Sequence, residues 1–65
     1  MTITLKKAIT EAAEFYERHA KWQRDKLETA QGDTAKEIME RGIWYNEGRA
    51  AAMREALDLV NRLLG

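Results

Sequence analysis

Gln31-Gly32-Asp33-Thr34-Ala35-Lys36-Glu37 is the stretch whose reading decides the fold. Gly32 suits the left-handed residue that ends a helix, because it has no Cβ to clash there. Thr34 followed three residues later by Glu37 has the form of a capping box, with Thr34 as N-cap and Glu37 reaching back. Asp33 is a competing N-cap one residue earlier. No proline and no other glycine lies nearby, and the flanking segments are rich in alanine, lysine, arginine and glutamate. That composition favours helix on both sides of the turn. The spacing predicts one helix from about residue 4 to 31, a turn at 32–33, and a second helix from about 34 to 63. At 1.5 Å per residue each helix is ~40 Å long, and so short a connection makes them an antiparallel hairpin. The fold class expected is therefore all-α, with residues 1–65 forming one hairpin domain.

On a helical wheel, Leu5, Ala8, Ile9, Ala12, Phe15, Tyr16, His19, Trp22, Leu27 and Ala30 share an arc of roughly half the circumference. The second helix repeats this with Ala35, Ile38, Met39, Gly42, Tyr45, Ala52, Met53, Ala56, Leu57, Leu59, Val60, Leu63 and Leu64. One partner helix needs only a narrow stripe. Two wide arcs point to a helical bundle made from two or more copies. The length agrees. A chain of 65 residues with no cysteine has no disulfide to support a small core, and the lone histidine excludes a His-rich metal site. Stability is expected from homo-oligomerisation.

Lysine plus arginine number 11 and aspartate plus glutamate 11, so the net charge is zero. A general attraction for duplex nucleic acid or anionic membrane is not expected. Met1 to Lys7 contain no long apolar run, so neither a signal peptide nor a membrane span is expected and the protein reads as cytoplasmic. Exposed ion pairs are expected at i,i+4 in Glu14–Arg18, Glu17–Lys21, Lys21–Asp25, Arg24–Glu28, Glu37–Arg41 and Arg54–Asp58, each contributing a few tenths of a kcal/mol.

Polar residues interrupt both arcs. With the turn at Gly32, Tyr16, His19, Gln23, Tyr45, Asn46 and Arg49 fall in one zone about halfway along the rod. Three readings of that zone stand side by side, the plainest being simple exposure of Arg49 to solvent. Its members hydrogen-bond one another and fix the register of the oligomer, as polar core residues do in coiled coils. Alternatively they line a pocket for a small anionic ligand, arginine supplying a donor fork, the amides reading hydrogen bonds and tyrosine stacking. Arg49 is the preferred anchor, because a guanidinium stays charged and no carboxylate shares the centre of either arc. Trp22 and Trp44 flank the arcs at similar height. They serve either interface packing or a base-stacking surface beside the small residues Gly48 and Ala51. The ligand-binding candidates are thus Arg49, Tyr45, Asn46, His19, Tyr16, Gln23 and Trp44, with no catalytic residue, metal ligand or cofactor expected.

Two resemblances bear on function. Glu37-x-x-Glu40 and Glu55-x-x-Asp58 resemble the magnesium-binding motif of the all-α nucleotide pyrophosphohydrolases of MazG type, which implies carboxylates on two helices holding cations against a nucleotide. Here both pairs fall on one expected helix, eighteen residues or ~27 Å apart, so only a crossing partner chain brings them together. The stretch Trp44-Tyr45-Asn46-Glu47-Gly48-Arg49-Ala50-Ala51-Ala52-Met53-Arg54-Glu55-Ala56-Leu57 resembles the second helices of small phage- and prophage-encoded hairpins. Some of those are oligomeric sponges for nucleotide immune signals, and others are inhibitors that cap a host protein. That resemblance implies a binding role. The expectation is a non-enzymatic homo-oligomer that sequesters a small phosphate-bearing or nucleotide-like ligand. A protein-binding inhibitor or adaptor, acting on a host protein through a helical face, is the alternative. A metal-dependent nucleotide hydrolase is the third reading.

Overall fold

The computed structural model describes residues 4–64; Met1, Thr2, Ile3 and Gly65 lie outside the described residues. Helix α1 spans Leu5–Thr29 and helix α2 spans Asp33–Leu64, packed against each other along their length. Thr4 caps α1, its hydroxyl accepting from the Lys7 amide at 3.1 Å. At the other end the Ala30 amide donates to the Leu27 carbonyl at 3.2 Å, a tightened last turn, and the chain then leaves in extended conformation.

The turn occupies 30–32, not 32–33, and its chemistry differs from the capping box expected. Gly32 has φ +87°, and its carbonyl accepts the first bond of α2, from the Lys36 amide at 3.2 Å. Gly32 therefore stands at the N-cap itself. Reversal of the chain requires a positive φ directly before α2, and glycine meets that requirement at the lowest steric cost. Thr34 consequently lies inside the first turn of α2, and the Glu37 carboxylate turns away to Arg41 at 2.7 Å. Asp33 places a negative charge in that first turn, where the helix dipole favours it.

The contact between the helices is a heptad seam. Ile9, Ala13, Tyr16, Ala20, Gln23 and Leu27 recur at alternating four and three residues on α1, as do Met39, Ile43, Asn46, Ala50, Met53 and Leu57 on α2. Every one of them is buried or half-buried. Such spacing is that of left-handed antiparallel coiled-coil packing. The most deeply buried apolar residues are Ala13, Ala20, Ile43 and Ala50, none of which belongs to the wide arcs drawn from the sequence. Those arcs follow the bulky side chains, whereas the two backbones meet where side chains are small.

The molecule measures 48 × 21 × 12 Å, a slab one helix thick with two broad faces. One face is charged. Arg54 donates through Nε and Nη2 to both Glu17 carboxylate oxygens at 3.1 and 2.8 Å, and Arg24 pairs with Glu47. These cross-helix pairs take Glu17, Arg24 and Arg54 from the i,i+4 partners expected for them, and Glu14–Arg18 and Lys21–Asp25 do not pair among the described residues. Glu37–Arg41 does form, and Arg62–Asp58 at 2.6 Å joins it. The other broad face carries Phe15, His19 and Trp22 from α1 and Ile38, Tyr45 and Leu59 from α2, all of them exposed. No helix among the described residues is long and apolar enough to cross a membrane.

Candidate functional site

The residues expected at the site resolve into three groups. The first lies inside the seam. The Asn46 amide donates to Gln23 Oε1 at 2.7 Å, and Asn46 is only 8% exposed. Gly42 makes this bond possible. A Cβ at position 42 would stand 2.9 Å from Gln23 Cδ, so only glycine leaves room for the carboxamide to lie across α2 and reach Asn46. Among the described residues, no buried side-chain polar atom lacks a partner. Gln23 and Asn46 therefore bond to each other across the seam within one chain.

The second group is Tyr16, Tyr45 and Arg49, on the edge of the apolar face. The Arg49 guanidinium lies 5.5 Å from the Tyr16 ring centre and 5.8 Å from that of Tyr45. It makes a long hydrogen bond, 3.5 Å, from Nη2 to the Tyr16 hydroxyl. That bond holds the guanidinium above its already high ordinary range, so it is charged at every working pH. The salt bridges of the described residues do not include Arg49. Its exposed side chain thus lies beside two aromatic rings, with Nη2 on the Tyr16 hydroxyl and no carboxylate at salt-bridge distance among the described residues. Phe15 extends the aromatic surface, edge-on to Tyr16 at 5.4 Å and stacked at a tilt on His19 at 4.3 Å. Phe15, Arg18, His19 and Trp22 border an open hollow of about 540 Å³.

The third group is Trp44. It is 80% exposed and borders Glu37, Glu40 and Arg41, with Ile43 and Glu47 on its other flank. Trp44 therefore stands on the charged side of α2, away from Arg49, and does not join Tyr45 in one pocket. One residue of separation on a helix turns a side chain by about 100°. Trp22 remains on the other side of the hairpin, with Lys26 Nζ 5.6 Å from its ring centre.

Sequence reasoning missed the two cross-helix ion pairs and the reason for Gly42. A signal for the pairs does exist: Glu17 and Arg24 are seven residues apart, as are Glu47 and Arg54. Charges at a heptad interval beside a seam of small residues mark flanking coiled-coil positions. Of the MazG-like carboxylates, Glu37 and Asp58 are engaged by Arg41 and Arg62, and no three acidic or histidine side chains gather at metal-binding distance among the described residues. No family model, curated protein or solved structure matches this chain.

Proposed function

We propose that the chain is a non-enzymatic, homo-oligomeric helical binding protein that associates through its apolar broad face. The observation that carries this reading is the segregation of the two faces. Both cross-helix ion pairs lie on one side, while Phe15, Trp22, Ile38, Tyr45 and Leu59 stand exposed on the other. Inside one hairpin the well-buried apolar residues are three alanines and one isoleucine. Burying these contributes a few kcal/mol, against a conformational entropy cost of roughly 1 kcal/mol or more for each residue fixed.

The surface area agrees. The chain exposes 5153 Å². A compact monomer of 7.5 kDa exposes about 4,200 Å². The excess of about 900 Å² is close to what one partner buries in a standard interface. A second copy is the natural occupant, since its own apolar face has the same heptad period and the same need for cover. Stacking two such slabs gives a four-helix bundle. Sedimentation at micromolar concentration is expected to give at least a dimer, with a melting temperature that falls on dilution. A sharply melting, concentration-independent monomer is incompatible with this reading.

Tyr16, Tyr45 and Arg49 form the ligand site in this reading, and they suit a small phosphate-bearing or nucleotide-like molecule. Arginine offers bidentate donors to phosphate oxygens and the rings offer stacking. A second reading, an adaptor or inhibitor that docks a host protein, draws support from Trp44. Fully exposed tryptophans are frequent anchors of protein interfaces, and face-to-face association leaves this one uncovered. A protein partner captured by the parent and by Arg49→Ala but lost with Trp44→Ala favours that reading.

A further inference from the structure

We infer that the anion site is completed by a second copy: two Arg49 guanidinium groups, one from each chain, hold a single multivalent phosphate-type anion between them. The inference rests on association through the apolar face and deepens that reading.

Arg49 and Tyr16 stand near the middle of the slab, since α1 is centred close to Glu17 and α2 close to Gly48. Two like hairpins stack face to face about a two-fold axis lying in their interface. That axis runs either along the slab or across it. In both arrangements, with the faces fully overlapped, the middle of one chain meets the middle of the other. The two Arg49 side chains then share one layer.

That layer has nothing to neutralise them. Along the α2 stripe, Ile38, Tyr45, Ala52 and Leu59 recur every seven residues, and Arg49 is the one charged residue interleaved with them. The matching α1 stripe offers Ala12, Phe15, His19 and Trp22, with no carboxylate. Glu17 and Glu47, the carboxylates nearest in height, are committed on the opposite face to Arg54 and Arg24. A guanidinium cannot discharge by losing a proton, and two of them brought together in a partly desolvated interface repel. A compact anion of charge two or more resolves this, its oxygens taking the donor forks of both arginines. The Tyr16 hydroxyls add further donors at the same height. The aromatic rings around the layer suit a planar group attached to the phosphates, so inorganic diphosphate and a nucleoside diphosphate are both admissible sources of the shared chemistry.

The test uses the full chain in low-salt chloride buffer, with sedimentation equilibrium and titration calorimetry against inorganic pyrophosphate and, separately, a nucleoside diphosphate. The parent chain is expected to dimerise more tightly, by about tenfold or more, when either anion is present. The calorimetric stoichiometry is expected at one anion per two chains. Arg49→Met keeps length and helix propensity while removing the charge. It is expected to dimerise more tightly than the parent without any anion, and to lose the response to pyrophosphate. A response to the nucleoside diphosphate alone assigns the site to nucleotides, whereas equal responses assign it to the diphosphate. One anion per chain with unchanged dimerisation overturns the shared site, as does an Arg49→Met dimer weaker than the parent. If both parent and Arg49→Met stay monomeric under all conditions, it is association through the apolar face that fails, and the shared site with it.

Discussion

Gly42→Ala and Gly48→Ala are the same chemical change at two positions of one helix, and the structure assigns stabilisation to the second alone. Away from any contact, replacing a helical glycine by alanine stabilises by about 1 kcal/mol, through propensity and the entropy of the unfolded chain. Gly48 meets that condition, since a Cβ there finds nothing within 4 Å. At Gly42 the new methyl group stands 2.9 Å from Gln23 Cδ, and the carboxamide has to swing aside. The Asn46–Gln23 bond at 2.7 Å is then lost, and Asn46 is too well buried to exchange it for water. Leaving a buried amide unpaired costs about 1–3 kcal/mol. Set against the propensity gain, Gly42→Ala is expected to be neutral to about 2 kcal/mol destabilising. Gly48→Ala should gain about 1 kcal/mol. In a domain of this size each kcal/mol moves the melting temperature by roughly 4–8 °C, so the two variants separate clearly in a far-UV circular dichroism melt. Protein concentration must be equal in both, because association contributes to stability. The double variant Gln23→Ala/Gly42→Ala closes the cycle. Without the glutamine amide, the second alanine should become stabilising over Gln23→Ala alone. Equal stabilisation by both single substitutions would refute the account of Gly42 as room for Gln23.

Three further predictions follow from the two faces and the seam. The Arg54 fork holds the Glu17 carboxyl below its ordinary range, so the pair's contribution is fully present above that range and is lost as pH falls through the lowered value. Arg54→Gln should therefore lower stability modestly near neutrality and leave it unchanged in strong acid, so that the fall of stability in acid is flatter, as read from melts across pH. Phe15→Glu and Leu59→Glu should dissociate the oligomer in sedimentation and Trp44→Glu should not, since only the first two place charge on the apolar face. The double variant Gln23→Leu/Asn46→Leu should raise the midpoint of chemical denaturation yet loosen the helix register, visible as broadened amide spectra, because an apolar pair stabilises a seam without specifying it.

The outline of this fold was legible in the chain because its signals are local. Absence of proline, abundance of alanine and charged helix formers, and a single glycine before Asp33 determine two helices and a reversal. Gly32 carries that reversal through its positive φ, which is a property of one residue and requires no partner. The interruption of both arcs by His19, Gln23, Asn46 and Arg49 was legible for the same reason. What each of them does was not. Gln23 and Asn46 share the seam while Arg49 sits beside it between two tyrosines, and the difference is a rotation about the helix axis set by where the other helix lies. The most deeply buried seam positions are Ala13, Ala20, Ile43 and Ala50, three of them alanines, since close approach of two backbones favours small side chains that a helical wheel of bulky residues passes over. Glu17 and Arg24 had local partners one turn away and took distant ones, because antiparallel packing brings Arg54 and Glu47 alongside them. Propensity and capping are written in neighbouring residues. The choice of face, the pairing of charges and the isolation of Arg49 depend on contacts more than twenty residues apart, and only the tertiary structure decides those.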